Sequence, residues 1–422
     1  MPLETRKPAT RAILAGLISE GSEQQTLEEL ALLAKTAGAE VLAKVAQKRP
    51  SKDPAYYLGL GKVRGIAQTA ELLGANAVIF DDDLTPVQVR NLEDIIGTQI
   101  IDRTTLILDI FAQRARSLEG KIQVELAQLQ HLLPRLTGKG VELSREGGGI
   151  GTRGPGETKL ETDRRHIRRR ISYLKRELER IRKNRELLRS SRKYPVVSLV
   201  GYTNAGKSTL MNALTGAGVS ANDRLFDTLD TTTRALVLPD GRKVLLSDTV
   251  GFIRKLSHEI VEAFKATLEE VKESDLLIIV ADASSSFVEK EIETVRRVLK
   301  EIQAGDIPSI LALNKMDKID NLDLLKPLIN DKNTVEISAI KGTNVDILLK
   351  KICELLPQNR MYASIMIPYK YGFLLDDIYE NGKVEREEYR PEGIEIEGMI
   401  DSILLRKLRK YLSDKSRSER PK

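Results

Sequence analysis

The apolar run Val196-Val197-Ser198-Leu199-Val200 leads without a break into Gly201-Tyr202-Thr203-Asn204-Ala205-Gly206-Lys207-Ser208-Thr209, and then into the helix-like LMNAL. Few folds accommodate that order. A buried strand must stop, the chain must curl through a loop whose glycines leave successive N–H groups pointing inward, and a helix must start on Lys207-Ser208. Such a loop cradles phosphates with backbone amides and the positive end of the helix. Lys207 places a cation between terminal phosphates, and Ser208 offers a hydroxyl to magnesium. All nine residues from Gly201 to Thr209 are therefore expected to contact nucleotide. This strand–loop–helix unit predicts a doubly wound α/β domain around it.

Two more segments fall in the order that such a domain needs. A turn at Asp240-Gly241 and a strand ending in LLS lead to Asp248-Thr249-Val250-Gly251. A carboxylate there holds a magnesium shell through water, and the Gly251 N–H senses the terminal phosphate. Asn314-Lys315-Met316-Asp317 follows the apolar run SILAL. The Asp317 carboxylate can accept both the N1–H and the exocyclic amine of guanine, a pair that adenine does not offer. Lys315 has the stem to lie over the base, Asn314 can tie this loop to the phosphate loop, and Ser338-Ala339 suits the last base-contacting loop. The expected ligand is GTP or GDP with magnesium, and the expected reaction is GTP hydrolysis. A metal-binding threonine should lie between Ser208 and Asp248. Phe226-Asp227-Thr228-Leu229-Asp230-Thr231-Thr232-Thr233-Arg234 offers four, and periodicity does not choose among them.

The 422 residues exceed one ordinary core. Four regions are expected. Residues 1–115 read as an α/β domain, with strands over 12–18, 41–46, 77–80 and 99–101 alternating with helices over 24–37, 62–73, 86–96 and 104–115. No phosphate loop appears there. Residues 116–194 read as a basic antiparallel helical hairpin. Its first helix carries Leu118, Ile122, Leu126, Leu129, Leu133 and Leu136, and its second Ile167, Ile171, Leu174, Leu178, Ile181 and Leu188. Between them, residues 138–157 hold eight glycines in twenty. Residues 195–357 form the nucleotide domain. Residues 358–422 read as a small α+β domain, with a hairpin at Asn381-Gly382, a helix from Asp401 to Leu412 and a disordered tail.

Charge singles out the hairpin. Its stretch from Arg164 to Lys193 carries fourteen Lys or Arg against three Glu, a balance of +11, so the rest of the chain is about −5 within the total of +6. Arg164, Arg165, Arg168, Arg169 and Arg170 stand beside Arg145, Arg153 and Lys159 of the glycine-rich stretch. A dedicated polyanion contact is expected, with nucleic acid the usual candidate. The lone Cys353 rules out an internal disulfide and a thiolate metal site, His131, His166 and His258 read as surface or packing residues, and no apolar run is long enough for a membrane span. The start, MPLETRKPAT, reads as lacking a secretory leader, the lone cysteine fits a reducing, cytoplasmic setting, and a monomer is expected.

The motifs GYTNAGKSTL, LLSDTVGFIRKLSHEI and NKMD, the Phe226–Arg234 segment, and above all GGGIGTRGPGETKLETDRRHIRRRI make the chain from Arg11 to Pro357 resemble the HflX family of bacterial translation-associated GTPases, relatives of the Obg group. The resemblance implies that Thr228 is the magnesium-binding switch threonine, within a segment whose Phe226 and Asp230 also belong to the nucleotide site. Thr231 stands where many members have proline. It implies that Asn204 helps to hold a potassium ion, and that the catalytic set is Lys207, Asn204, Thr228 and Gly251. It also implies binding to the large ribosomal subunit through ribosomal RNA, with dissociation or rescue of stalled ribosomes. A nucleotide-gated RNA-binding or ribosome assembly factor, reset by hydrolysis, is the alternative. Phe252 occupies the position where many GTPases place a water-orienting glutamine, so a low basal rate is expected.

Overall fold

The computed structural model describes residues 10–18, 23–138, 155–189, 194–216, 226, 232–255, 260, 265–319, 325–356, 360–381 and 383–401. The first region alternates β1 (Arg11–Ile18), α1 (Glu23–Thr36), β2 (Glu40–Lys48), α2 (Leu60–Leu73), β3 (Ala77–Phe80), α3 (Pro86–Ile96), β4 (Gln99–Ile101) and α4 (Arg103–Arg114). Its sheet has the order β2-β1-β3-β4 and is parallel throughout, as the alternation predicts. Local chemistry sets the helix ends. Thr85 and Gln88 close a capping box on α3, Gly97 ends it at φ 72, and the Asp102 carboxylate caps α4 through the Thr105 N–H.

Helices α5 (Leu118–Leu132) and α6 (Pro155–Arg189) follow, with a 3-10 turn at Leu133–Gly138. The stripe expected on α5 is displaced. Leu118 is 70% exposed, while Gln123, Val124 and Ala127 are buried, because α5 packs on α4 as well as α6. On α6 the expected seam survives in part: Leu174 is buried, with Ile167, Ile171, Leu178 and Ile181 half-buried. The glycine-rich stretch ends sooner than expected, since α6 starts at Pro155, a favoured first helical residue. Residues 139–154, with Arg145 and Arg153, lie outside the described residues, as does His258.

The third region holds β5 (Val196–Gly201), α7 (Lys207–Thr215), β6 (Thr232–Val237), β7 (Lys243–Asp248), α8 (Lys265–Lys272), β8 (Leu276–Asp282), α9 (Val288–Glu301), β9 (Ser309–Asn314), α10 (Lys326–Ile329), β10 (Thr334–Glu336) and α11 (Val345–Leu355). The sheet order is β10-β9-β8-β5-β7-β6, with only the edge strand β6 antiparallel. Every residue of β5 is buried, which explains its unbroken apolar run.

A three-stranded antiparallel sheet ends the described chain: β11 (Arg360–Ile367), β12 (Lys383–Arg390) and β13 (Gly393–Asp401), in the order β11-β13-β12, with α12 (Leu374–Asn381) across it. The hairpin expected at Asn381-Gly382 is not there. Leu374 and Ile378 stand one helical turn apart and bury against Ile367, Ile394 and Ile396, so Asn381 ends a helix. The turn falls instead between Arg390 and Gly393. Asp401 closes β13 rather than opening a helix, and residues 402–412 lie outside the described residues.

One apolar core runs from the N-terminal domain into the nucleotide domain. Leu106, Ile110 and Phe111 of α4 share it with Phe226, Phe252 and Ile253, and the Phe111 and Phe226 rings meet edge to face at 4.8 Å. A charged seam borders it. The Arg103 guanidinium, 2% exposed, bonds Asp81 at 2.7 Å, Glu29 at 2.5 Å and the Arg254 carbonyl at 3.1 Å. Nearby, His131 and Arg135 pair with Asp102. Burial alone would raise the Asp102 carboxyl, but the His131 hydrogen bond and the Arg135 and His131 charges hold it well below the usual range. His131 is thus a hydrogen-bond partner of Asp102 as well as a packing residue.

Replacing Arg103 with Met leaves the buried Asp81 carboxylate with Lys255 as its one remaining ion-pair partner among the described residues and takes from Glu29 its cation in that seam. The expected loss is about 3–5 kcal/mol of unfolding free energy, read from the urea midpoint. A variant as stable as the parent would contradict the seam's structural role.

Candidate functional site

The phosphate-loop segment lies at the C-terminal end of β5, between β7 and β8. Two close approaches require glycine. A Cβ on Gly201 would sit 2.2 Å from the Val280 carbonyl oxygen. Gly206 has φ +94, and a Cβ there would meet Asn314 Nδ2 at 2.3 Å. The Lys207 ammonium is buried and donates to the carbonyls of Gly201 at 3.2 Å and Tyr202 at 3.0 Å. Burial brings it down to about 8, with Asp248 partly opposing. Ser208 Oγ donates to Asp248 Oδ2 at 2.8 Å, and Asp248 is fully buried at the end of β7. A hydroxyl beside a carboxylate is a donor set that fits a hard divalent cation.

The 248–251 segment is zipped to the loop. Thr203 N–H donates to the Phe252 carbonyl at 2.8 Å, and Phe252 N–H to the Gly201 carbonyl at 3.0 Å. Gly251 is wedged in behind: a Cβ there would lie 2.7 Å from Thr203 Cγ2 and 3.1 Å from Lys207 Nζ. Gly251 thus abuts the ammonium that the sequence pairs with it. The Phe252 ring is buried in the interdomain core, away from the loop's open side. Asn204 is exposed in a left-handed conformation, φ 63.

The base-contacting candidates meet the loop from the other flank. Asn314 Nδ2 donates to the Ala205 carbonyl at 2.9 Å, and its Oδ1 accepts from the Ala339 N–H at 3.0 Å. One buried side chain thus ties three sequence-distant loops together. Ser338 Oγ donates to Asp317 Oδ1 at 2.6 Å, and that hydrogen bond is the main cause that lowers the Asp317 carboxyl. Lys315 Nζ sits 2.6 Å from Asp282 Oδ2.

Thr228 and Asp230 lie outside the described residues. Phe226, expected at the nucleotide, packs its ring edge to face against Phe111 in the shared core. Tyr202 keeps its carbonyl in the cradle, but its hydroxyl donates to Glu29 at 3.0 Å and accepts from the Arg254 N–H at 2.9 Å. Burial, with Glu29 adding, pushes that phenol far up, so it remains a donor. Sequence reasoning missed Glu29, Arg103, Asp81, Lys255 and Asp282. Lys255 Nζ reaches Asp81 at 2.5 Å and Asp82 at 3.1 Å. A carboxylate closing the apolar run LLIIVAD, just as Asp248 closes LLSD, was a signal available for Asp282.

Three family models match the chain: one described as GTP-binding GTPase N-terminal over residues 24–112, one as GTP-binding GTPase middle region over 114–192, and one as 50S ribosome-binding GTPase over 196–315. The GTPase HflX of Caldanaerobacter subterraneus subsp. tengcongensis is 48% identical over 412 residues, covering 97% of this chain and 95% of its own. The chain belongs to the HflX family of GTPases. The Escherichia coli GTPase HflX is 44% identical over 380 residues, 89% of each chain. Among solved structures, a GTP-binding protein of Sulfolobus solfataricus in complex with GDP is 30% identical, covering 82% of this chain and 98% of its own with a TM-score of 0.44. Among the described residues no helix is long and apolar enough to cross a membrane.

Two outcomes are expected of this HflX-family site. Gly206→Ala should weaken GDP binding at least ~100-fold, through backbone strain and loss of the Asn314 tie; titration with fluorescent GDP measures it. Lys207 is depressed, so its charge is present below about 8 and lost above it. Phosphate binding needs the ammonium, so affinity should be level at lower pH and fall about tenfold per unit above that value. A flat profile up to pH 10 would be incompatible with this.

Proposed function

We propose that this HflX-family GTPase binds the large ribosomal subunit through ribosomal RNA and promotes dissociation or rescue of stalled ribosomes, as a cytoplasmic monomer. The carrying observation is the arginine face on α6. Arg165, Arg168 and Arg169 are exposed on a helix that also reaches the nucleotide domain through Arg182 and Glu269, 3.6 Å apart. Arg170 is withdrawn from that face: it grips Glu125 at 2.7 Å and stacks on Tyr173. Exposed guanidiniums give affinity for a phosphate backbone without reading sequence, which suits a large folded RNA. The description of the matched family as 50S ribosome-binding points to the same partner.

In the hydrolytic step water attacks the γ-phosphorus and GDP leaves with the electron pair of the broken bond. Lys207 exchanges its two carbonyl partners for phosphate oxygens, and the loop amides with the Gly251 N–H surround the developing charge. Asp317, kept ionised by Ser338, selects guanine, and Asn314 holds its loop in place. A bound magnesium ion would neutralise phosphate charge, held by Ser208, by Asp248 through water and by Thr228 from the switch. Asn204 is the side chain that would hold potassium.

The second reading, a nucleotide-gated RNA-binding or assembly factor that hydrolysis only resets, draws on Phe252. With that ring buried, no side chain at its position can orient water, so the intrinsic rate is low and binding state carries the signal.

Sedimentation with ribosomes, separated subunits and bare RNA in GTP and GDP tests the partner. Pelleting with the large subunit in GTP is expected, reduced at least about tenfold when Arg165, Arg168 and Arg169 become Gln; no pelleting with any particle rejects it. If intact ribosomes still split with a non-hydrolysable GTP analogue, the second reading gains. Turnover should rise when potassium replaces sodium, and equal rates would dismiss the role given to Asn204.

A further inference from the structure

We propose that Asp282 is a positioning residue for guanine-nucleotide binding, holding the Lys315 ammonium so that the lysine stem stays over the base position. The proposal rests on the reading of Asn314–Asp317 as the base-contacting loop. Strands β8 and β9 pair in parallel with Asp282 directly opposite Asn314, and the Ala283 N–H donates to the Asn314 carbonyl at 2.9 Å. The register therefore delivers a carboxylate to the place where the base loop begins.

Lys315 needs such an anchor. Its backbone is left-handed, φ 64, which fixes where its Cα points, but its four side-chain torsions remain to be settled. A lysine free to sample them presents its stem to the base only part of the time. Here Nζ lies 2.6 Å from Asp282 Oδ2, and both side chains are about four-fifths buried, at 19% and 21% exposure. The anchor is itself held. Asp282 Oδ1 accepts the Ser284 N–H at 3.0 Å and the Ser284 hydroxyl at 2.6 Å, so the carboxylate cannot swing with the lysine. The other nearby acid, Glu291, is occupied by the Ser285 hydroxyl at 2.8 Å, and its carboxyl is raised by burial first, with Asp282 and Glu29 adding to it. Asp282 is thus the acid that Lys315 faces. An ordinary surface ion pair would have the same distance, but neither this burial nor a locked carboxylate, and would contribute to stability alone.

A double-mutant cycle on the full chain separates the two roles, read by fluorescent GDP titration and GTPase kinetics. Asp282→Asn should weaken GDP binding about tenfold, with the loss in KM rather than kcat. GDP and IDP should lose equally, because a lysine over the ring face does not touch the exocyclic amine. In the Lys315→Ala background, Asp282→Asn should cost less than about twofold more, since its effect passes through the lysine. Asp282→Glu should recover part of the affinity. Should Asp282→Asn fail to fold, Ser284→Ala, which only unlocks the carboxylate, is expected to weaken GDP binding about threefold. Unchanged GDP affinity in folded Asp282→Asn, or losses that multiply in the double variant, would overturn the proposal. If Lys315→Ala itself binds GDP as the parent does, the base-loop reading falls, and the proposal with it.

Discussion

Arg103 carries the arrangement on which the rest of the molecule depends. A guanidinium this deeply buried is tolerable only where its charge is met, and its two terminal nitrogens are met by groups from three places: Glu29 on α1, Asp81 after β3 and the Arg254 carbonyl beyond the Gly251 turn, while its Nε has no partner among the described residues. Glu29 in turn accepts from Tyr202 of the phosphate loop, whose oxygen also accepts the Arg254 N–H. The stretch at Arg254 is therefore gripped by its N–H and its carbonyl, once from the loop beneath it and once from the other domain. A fixed fork of donors suits this junction better than a lysine would, because one planar group must satisfy two carboxylates and a carbonyl together.

The consequence for the chain around Gly251 is geometric. Phe252 pairs backbone to backbone with the loop, its ring and Ile253 enter the shared core, and Lys255 reaches over to Asp81 and Asp82. Any displacement of residues 251–255 must open apolar contacts, a buried hydrogen bond and ion pairs at once. Those contacts are two-state in character, since close-packed side chains and buried ions do not yield gradually. The backbone that a γ-phosphate would engage is thus held as much by the N-terminal domain as by its own sheet.

What the sequence disclosed follows from the range of the interactions. Strands β1, β3 and β4, and helix α3, were legible within a residue or so because burial periodicity is local. The GTP motifs were legible because each is a short run with a fixed job, and Asn314 met the role read for it. Glu29, Arg103 and Lys255 were not, because their partners lie 22 to 174 residues away and no spacing encodes them. The α5 stripe failed for a related reason: a helix with two neighbours buries the wedge between them, here Gln123, Val124 and Ala127, and not its most apolar line. Asn381-Gly382 reads as a turn by local chemistry alone, but Leu374 and Ile378 had already committed that stretch to a helix over the sheet.

Phe252 brings these strands together. In a free-standing GTPase domain the side chain after the Gly251 turn faces the attacking water, and its identity sets the intrinsic rate. Here the same position pays for the interdomain core, because a large aromatic there joins Phe111 and Phe226 in closing the seam. Glutamine at 252 would leave an amide buried among apolar rings, at a cost that depends on finding partners that the seam does not offer. The motifs for binding GTP are present in this chain, and the side chain that follows Gly251 is given over to joining two domains. Binding is therefore readable from the nucleotide domain alone, whereas the backbone beside Gly251 is held by the seam between the two domains.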